Sequence, residues 1–244
     1  MDARRTLRNA KPLNNTITHY QLLLTNMNTT YKVIDLTHTL IPGEEQYTVE
    51  IKQRGTLRTT PTGDVMHDVY MWSHSGTHVE MPLHFYAGGK DTSDYPPDQF
   101  VGPAIRLDFR NKDVNAPITL ADIQAAGEVQ DGDIVILWEG RDGQYRTPAS
   151  HQRPYLAEDA AEWLALEKKI KLLGTDSSGF EVRGRNDHPN HHLFFRDDVA
   201  IPVIECLRNL GAISSPRFFF SGLPIPCKGL DASPIRAIAI EGLF

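Results

Sequence analysis

Three imidazoles and a carboxylate fall within one short segment, His74-Ser75-Gly76-Thr77-His78-Val79-Glu80-Met81-Pro82-Leu83-His84. Imidazole nitrogen and carboxylate oxygen are the ligands that zinc and manganese accept in catalytic sites. Gly76 disfavours a helix interior and Pro82 would break one, so the histidines are not presented by an i,i+4 helix face. The segment is predicted to be extended. Residues two apart then point the same way, so His78 and Glu80 can reach one metal together, while turns near Gly76 and Pro82 bring in His74 and His84. A divalent ion held there lowers the pKa of water towards ~7 and polarises a carbonyl, which is the chemistry of hydrolysis without a protein nucleophile. Trp72 and Phe85 flank the segment and are expected to wall a substrate pocket. The bland alternative is a surface loop that happens to be rich in histidine.

The elements that must position this segment read as α/β from Tyr31 onward. Tyr31 to Leu36, Tyr47 to Gln53 and Val69 to Trp72 are predicted strands. Ala104 to Phe109, Asp133 to Trp138, Ile170 to Leu173, Val199 to Ile204, Arg217 to Phe220 and Ile235 to Ile240 are apolar runs bounded by turn residues, as buried strands are. Pro202 cannot donate to a ladder, which predicts an edge position or a bulge for its strand. Thr119 is placed to cap a helix over Leu120 to Ala126 with Gly127 as its stop, and Glu158 to Lys169 carries Trp163, Leu164 and Leu166 along one side. Arg183 to Asp198 is polar and reads as a loop. Phe218 to Phe220 read as core, Asp176 as a turn cap, and Arg236 and Lys228 as solvated or ion-paired cations.

The 244 residues, 40% hydrophobic, can bury one substantial core, and no repeat or linker divides them. A net charge of −6 argues against nucleic acid, which needs clustered Lys and Arg. No uncharged apolar stretch approaches the ~20 residues of a membrane span, and mean hydropathy is −0.36. Residues 1–28 read as a flexible extension. Arg4, Arg5, Arg8 and Lys11 before Ile17 to Leu24 imitate a targeting peptide only loosely, with no small-residue cleavage site. Residues 29–244 are expected to form the domain. Cys206 and Cys227 lie outside any Cys-x-x-Cys pattern, which fits a reducing, cytoplasmic setting.

At this point the chain resembles the cyclase family of kynurenine formamidase-like metal hydrolases, whose signature is His-x-Gly/x-Thr-His-x-Asp-x-Pro-x-His. His74, Gly76, Thr77, His78, Pro82 and His84 match it. Ile34 to His38 with Pro42-Gly43-Glu44, Phe100 to Ala104, Gly174 to Ser177 and Ser233 to Ile240 also look like segments of that family, in the same order. The resemblance implies a single α/β domain of swivelling β/β/α architecture, a small-molecule substrate, a homo-oligomer, and zinc or manganese at one or two ions per chain. It also implies a later His and Glu as ligands or proton carriers, for which His191 and Glu205 are the candidates and His188 and His192 the rivals. Glu80 departs from the family's aspartate. A single ion on His78, Glu80 and His84 therefore stands beside a dinuclear site.

The expected activity is hydrolysis of a carbon–nitrogen amide bond, in a formamide or small cyclic amide, by metal-activated water. His191 or Glu205 would pass a proton to the departing nitrogen. A lactone hydrolase, a dehydrating cyclase, or a binding protein without turnover are the alternatives on the same scaffold.

Overall fold

Alternating aliphatic side chains along short strands build one large sheet that is buried on both faces. The computed structural model describes residues 31–56 and 65–243, so the extension expected over residues 1–28 lies outside the described residues. The strands are β1 (Lys32–Asp35), β2 (Val49–Thr56), β3 (Val65–Met71), β4 (His78–Glu80), β5 (Val101–Asp108), β6 (Pro117–Ile118) and β7 (Ile134–Trp138). They continue as β8 (Tyr155–Leu156), β9 (Leu172–Thr175), β10 (Val203–Glu205), β11 (Arg217–Ser221), β12 (Ala232–Pro234) and β13 (Ile238–Glu241). Nine of them form a mixed sheet in the order β1-β13-β11-β5-β7-β9-β10-β4-β12. Its centre, β5 to β10, is parallel, and both flanks are antiparallel.

In β7 every second side chain serves a different core. Val135 and Leu137 join Ile105, Leu107, Leu173 and Val203, together with the helices α1 (Leu120–Ala126), α2 (Glu158–Glu162) and α3 (Pro189–Phe195). Ile134 and Ile136 face the other way, towards Ile34, Val79, Ala104, Leu172, Ile204, Phe218, Phe220 and Ala239. Strands from the β1 edge to β4, next to the opposite edge, thus converge on this second core, and the sheet curls around it. Each fully buried Ile or Leu contributes on the order of 1.5–3 kcal/mol, an upper bound because an unfolded chain already hides some apolar surface.

The cap of α1 forms as the sequence predicts: Thr119 Oγ1 accepts from the Asp122 amide while the Asp122 carboxylate accepts from the Thr119 amide. Other elements differ for local reasons. The second helix is α-helical only to Glu162, continues as a π-turn over Trp163–Glu167 and stops short of Lys169, whose φ is 47°. Leu166 accordingly points to solvent while Leu164 and Ala165 are buried. The strand expected at Val199 to Ile204 begins only at Val203, because Ala200 sits at a φ of 49°. Pro202 precedes the strand, so β10 lies inside the sheet with no lost ladder bond, not at an edge. The polar stretch expected as a loop contains α3, with Pro189 in its first turn. Among the described residues no helix is long and apolar enough to cross a membrane.

Candidate metal centre and active-site cleft

The strand β4 delivers two of the predicted side chains by simple alternation. Val79 enters the second core, and His78 and Glu80 point to the opposite face. Register does the rest: β10 pairs antiparallel with β4 so that Glu205 stands opposite His78 and Val203 opposite Glu80. Glu205 therefore shares the face of His78 and Glu80.

The loop before β4 is shaped by Gly76. Its φ is 68°, and a Cβ there would lie 2.5 Å from Leu40 Cδ2. Its carbonyl accepts from His78 Nδ1 at 2.9 Å, which leaves His78 Nε2 bare and 3.4 Å from Glu80 Oε1. Thr77 ties the loop down by donating to the Cys206 carbonyl at 2.6 Å and accepting from the His38 amide at 2.9 Å. After β4, Pro82 opens a single 3-10 turn ending at His84. Gly89 returns so close to that turn that a Cβ on it would meet the Pro82 carbonyl carbon at 2.9 Å.

The two turns bring His74 and His84 together, with ring centroids 4.3 Å apart. His74 Nδ1 lies 2.8 Å from Glu80 Oε1 and its Nε2 lies 3.0 Å from Asp231 Oδ2. Burial disfavours the charged form of His74, but Asp231 and Glu80 outweigh it and push the ring up to about 10. Asp231 also meets His84 Nδ1 at 3.1 Å and accepts from Ser73 Oγ at 2.9 Å. Contacts with His74 and His84 hold its carboxyl far below the usual carboxylate range.

From the other side α3 supplies His191, whose ring lies between Phe85, 4.8 Å away and nearly parallel, and Phe180 at 4.4 Å. Its Nε2 lies 3.4 Å from Glu80 Oε2 and 4.0 Å from Glu205 Oε1. The Glu80 contact is too poorly aligned for a full hydrogen bond, and Oε2 is buried with no hydrogen-bond partner among the described residues. Burial opposes ionisation of Glu80, but His191, His74 and His78 hold it well below the usual range. Glu205 goes the opposite way, raised by burial and by the Glu80 charge. His191 loses to burial but gains more from Glu181 and Glu80, reaching about 9.

The ligand chemistry of this cluster fits a divalent cation. His74, His78 and Glu80 form one group of converging ligand atoms, and Glu80, His191 and Glu205 form another. The two oxygens of Glu80 face different groups, Oε1 towards His74 and His78 and Oε2 towards His191. His84 stands apart with His74 and Asp231. Of the rival histidines, His188 groups with Glu181, and His192 is exposed, with its Nδ1 3.1 Å from Tyr86 Oη.

A cleft of about 310 Å³ opens over the cluster, lined among others by Tyr47, Trp72, Tyr145, His151, Ser178 and Cys206. Trp72 stacks on Tyr47 with ring centroids 5.5 Å apart. Phe85 is not among the lining residues: it packs against the first core and on His191, so its expected place as a pocket wall is corrected to a support beneath the histidines. Asp176 caps a turn, accepting from the amides of Glu139 at 2.7 Å and Arg141 at 2.9 Å. Arg236 pairs with Asp35 and Lys228 with Asp91 and Asp94, away from the cleft. Sequence reasoning missed Asp231 and Glu181. The one signal for Asp231 is its place just ahead of the Ser233 to Ile240 segment, and Glu181 carried none.

Buried histidines and carboxylates converging below an aromatic-walled cleft, on a curled mixed sheet, are the arrangement of a metal-dependent enzyme on an α/β scaffold, and the relatives make it a hydrolase. The Cyclase family model ("Putative cyclase") matches residues 34–182, and this chain belongs to the cyclase family. The kynurenine formamidase of Salinibacter ruber is 30% identical over 171 residues, spanning 68% of this chain and 75% of that protein. A solved "potential metal-dependent hydrolase with cyclase activity" superposes with a TM-score of 0.71 at 30% identity, over 86% of this chain and 98% of the other. Isatin hydrolase A of Ralstonia solanacearum shares the fold, with a TM-score of 0.74 at 21% identity over 96% and 99% of the two chains. The swivelling β/β/α architecture implied by the sequence resemblance is therefore the fold.

Proposed function

We propose that this hydrolase cleaves the carbon–nitrogen bond of a small formamide or cyclic amide, with one or two zinc or manganese ions held by His74, His78, Glu80, His191 and Glu205. The observation that carries this is the division of the Glu80 carboxylate between two sets of imidazoles, each within ligand-sharing distance. The names of the kynurenine formamidase and metal-dependent hydrolase relatives support it. When bound, such an ion supplies Lewis acidity to a carbonyl and acidifies water at neutral pH.

The chain's own residues supply the rest. His78 and His191 would turn their Nε2 atoms to the ion, while Glu80 and Glu205 would balance its charge in a buried place. His191 meets Glu181 at Nδ1 and turns Nε2 to the glutamates that would hold the ion, so the proton for the departing nitrogen is assigned instead to His84. That ring is held at Nδ1 by Asp231, with no hydrogen bond at Nε2 among the described residues. Tyr47 and Trp72 offer an aromatic wall, and the described lining contains two glutamates and no Lys or Arg. An uncharged aromatic amide or lactam suits such a cleft better than a substrate bearing a carboxylate. The exposed β2–β3 hairpin supports assembly with a second copy.

The test is a panel of neutral N-formyl arylamines, isatin-like lactams, N-formyl amino acids and lactones, run with zinc or manganese and again after chelation. Turnover of the neutral amides that disappears with chelator and returns with metal is expected. Turnover of lactones alone would replace amide by ester hydrolysis, and binding without product would mean a non-catalytic protein.

A further inference from the structure

We infer that Glu181 is the positioning residue for His191: it holds Nδ1 of that ring as a hydrogen-bond donor and so turns Nε2, the nitrogen that would meet a metal, towards Glu80 and Glu205. The inference rests on the reading of this cluster as a metal centre, and its geometry comes from a residue outside the ligand set.

Glu181 is buried, and a single oxygen, Oε1, makes both of its contacts to His191: the backbone amide donates to it at 2.8 Å and ring Nδ1 lies 3.0 Å away. The amide donates to Oε1, and a carboxylate has no hydrogen of its own to give, so opposite the ionised side chain Nδ1 is the donor. Phe85 and Phe180 confine the plane of the ring but not which edge faces which way, because a half-turn about the Cβ–Cγ bond keeps the same stacking. Glu181 removes that ambiguity. A flipped ring would present a carbon to Oε1 and withdraw Nε2 from Glu80.

Glu181 is itself held in place. Arg153, a mostly buried guanidinium, donates from Nη1 to the Glu181 carbonyl at 2.6 Å and from Nε to the Ser178 carbonyl at 3.1 Å. The Phe180 carbonyl accepts from the Leu156 amide of β8 at 2.9 Å. The segment from Ser178 to Glu181 is thereby clamped to the scaffold, and the clamp reaches the cluster through one carboxylate. Its second oxygen, Oε2, is buried with no hydrogen-bond partner among the described residues. A carboxylate in that condition favours positive charge on or beyond the imidazole, which a neutral amide would not do.

Zinc titration against a chromophoric chelator tests this in wild type, Glu181→Ala and Glu181→Gln, each first shown to melt cooperatively. The alanine variant should bind the zinc at His191 about 10–100-fold more weakly, as losses of orienting carboxylates do. Any zinc held on the His74 and His78 side should keep its affinity. The glutamine variant keeps the acceptor without the charge and should fall between. In protein with 15N-labelled histidine, the proton on His191 Nδ1 should be visible in wild type and Glu181→Gln, with or without zinc, and lost to fast exchange in Glu181→Ala. Wild-type zinc affinity in the folded alanine variant, or in the glutamine variant if alanine does not fold, overturns the inference. So does a His191 whose Nδ1 carries no proton. If wild type takes up no zinc, the metal reading fails, and the nitrogen spectrum alone decides the role of Glu181.

Discussion

At position 80 one extra methylene relative to the family's aspartate lets a single carboxylate reach imidazoles on both sides of the cleft floor. Its Oε1 meets His74 at 2.8 Å while Oε2 turns towards His191 at 3.4 Å. Glu80→Gln keeps the size and removes the charge, so metal binding should weaken at least about 10–100-fold, with turnover falling alongside. Glu80→Asp should keep part of both, because the charge remains but the arm no longer spans. Chelator competition and initial rates check the pair, and a Glu80→Gln protein that binds metal and turns over like its parent would remove Glu80 from the ligand set. Much of this was legible in the sequence, since alternation alone puts His78 and Glu80 on one face. Asp231 was not legible: it meets His74 across 157 positions of chain, and no local spacing encodes a contact made by a returning loop.

Among the elements, the C-terminal end of β7 carries an unusual load. Glu139 is fully buried there, accepting from Thr175 Oγ1 at 3.0 Å and contacting Ser177 Oγ, while the Asp176 carboxylate stands close by. Burial, reinforced by the Asp176 charge, pushes it up to about 8. An unfolded glutamate releases its proton near pH 4.3, so between there and about pH 8 the folded chain binds a proton that the unfolded chain has lost. This contribution to stability is complete below pH 4.3 and falls as pH rises through that window. Glu139→Gln should flatten the slope, leaving stability unchanged near pH 4 and raising it by roughly 1–3 kcal/mol at pH 9. Urea unfolding at pH 4.5, 6.5 and 9 measures it, and an unaltered slope would show that Glu139 ionises normally. The strands around this point were readable because Ile134 to Leu137 are a continuous aliphatic run. The helix α3 was not, because Phe194 and Phe195 are its largest buried side chains and sit adjacent at its end, so no stripe of period 3.6 shows in Pro189 to Phe195.

At the scale of the whole molecule, the β2–β3 hairpin stands outside the large sheet. Among the described residues β2 and β3 pair only with each other, as a two-stranded sheet with Ile51 opposite Val69 and Val49 opposite Met71. All seven residues of β3 are exposed, including Val65, Met66, Val69, Tyr70 and Met71. An isolated hairpin is marginal in water, and the assembly with a second copy proposed above would cover this apolar surface. Tyr47, just before β2, and Trp72, just after β3, reach into the cleft from its base, so a second copy covering the hairpin would sit beside the substrate wall. Wild-type protein is therefore expected to sediment as an oligomer at micromolar concentration. Val69→Lys sets a charge in the middle of the apolar face without touching the cluster of histidines, and should shift the protein to monomer. Activity should fall mainly through a higher KM, because the metal ligands stay while the Tyr47 and Trp72 wall loses its backing. Analytical ultracentrifugation with steady-state kinetics decides the matter. A wild type that is monomeric at every concentration, with a hairpin that resists limited proteolysis, would mean that the hairpin is stable alone and that the cleft is completed within one chain.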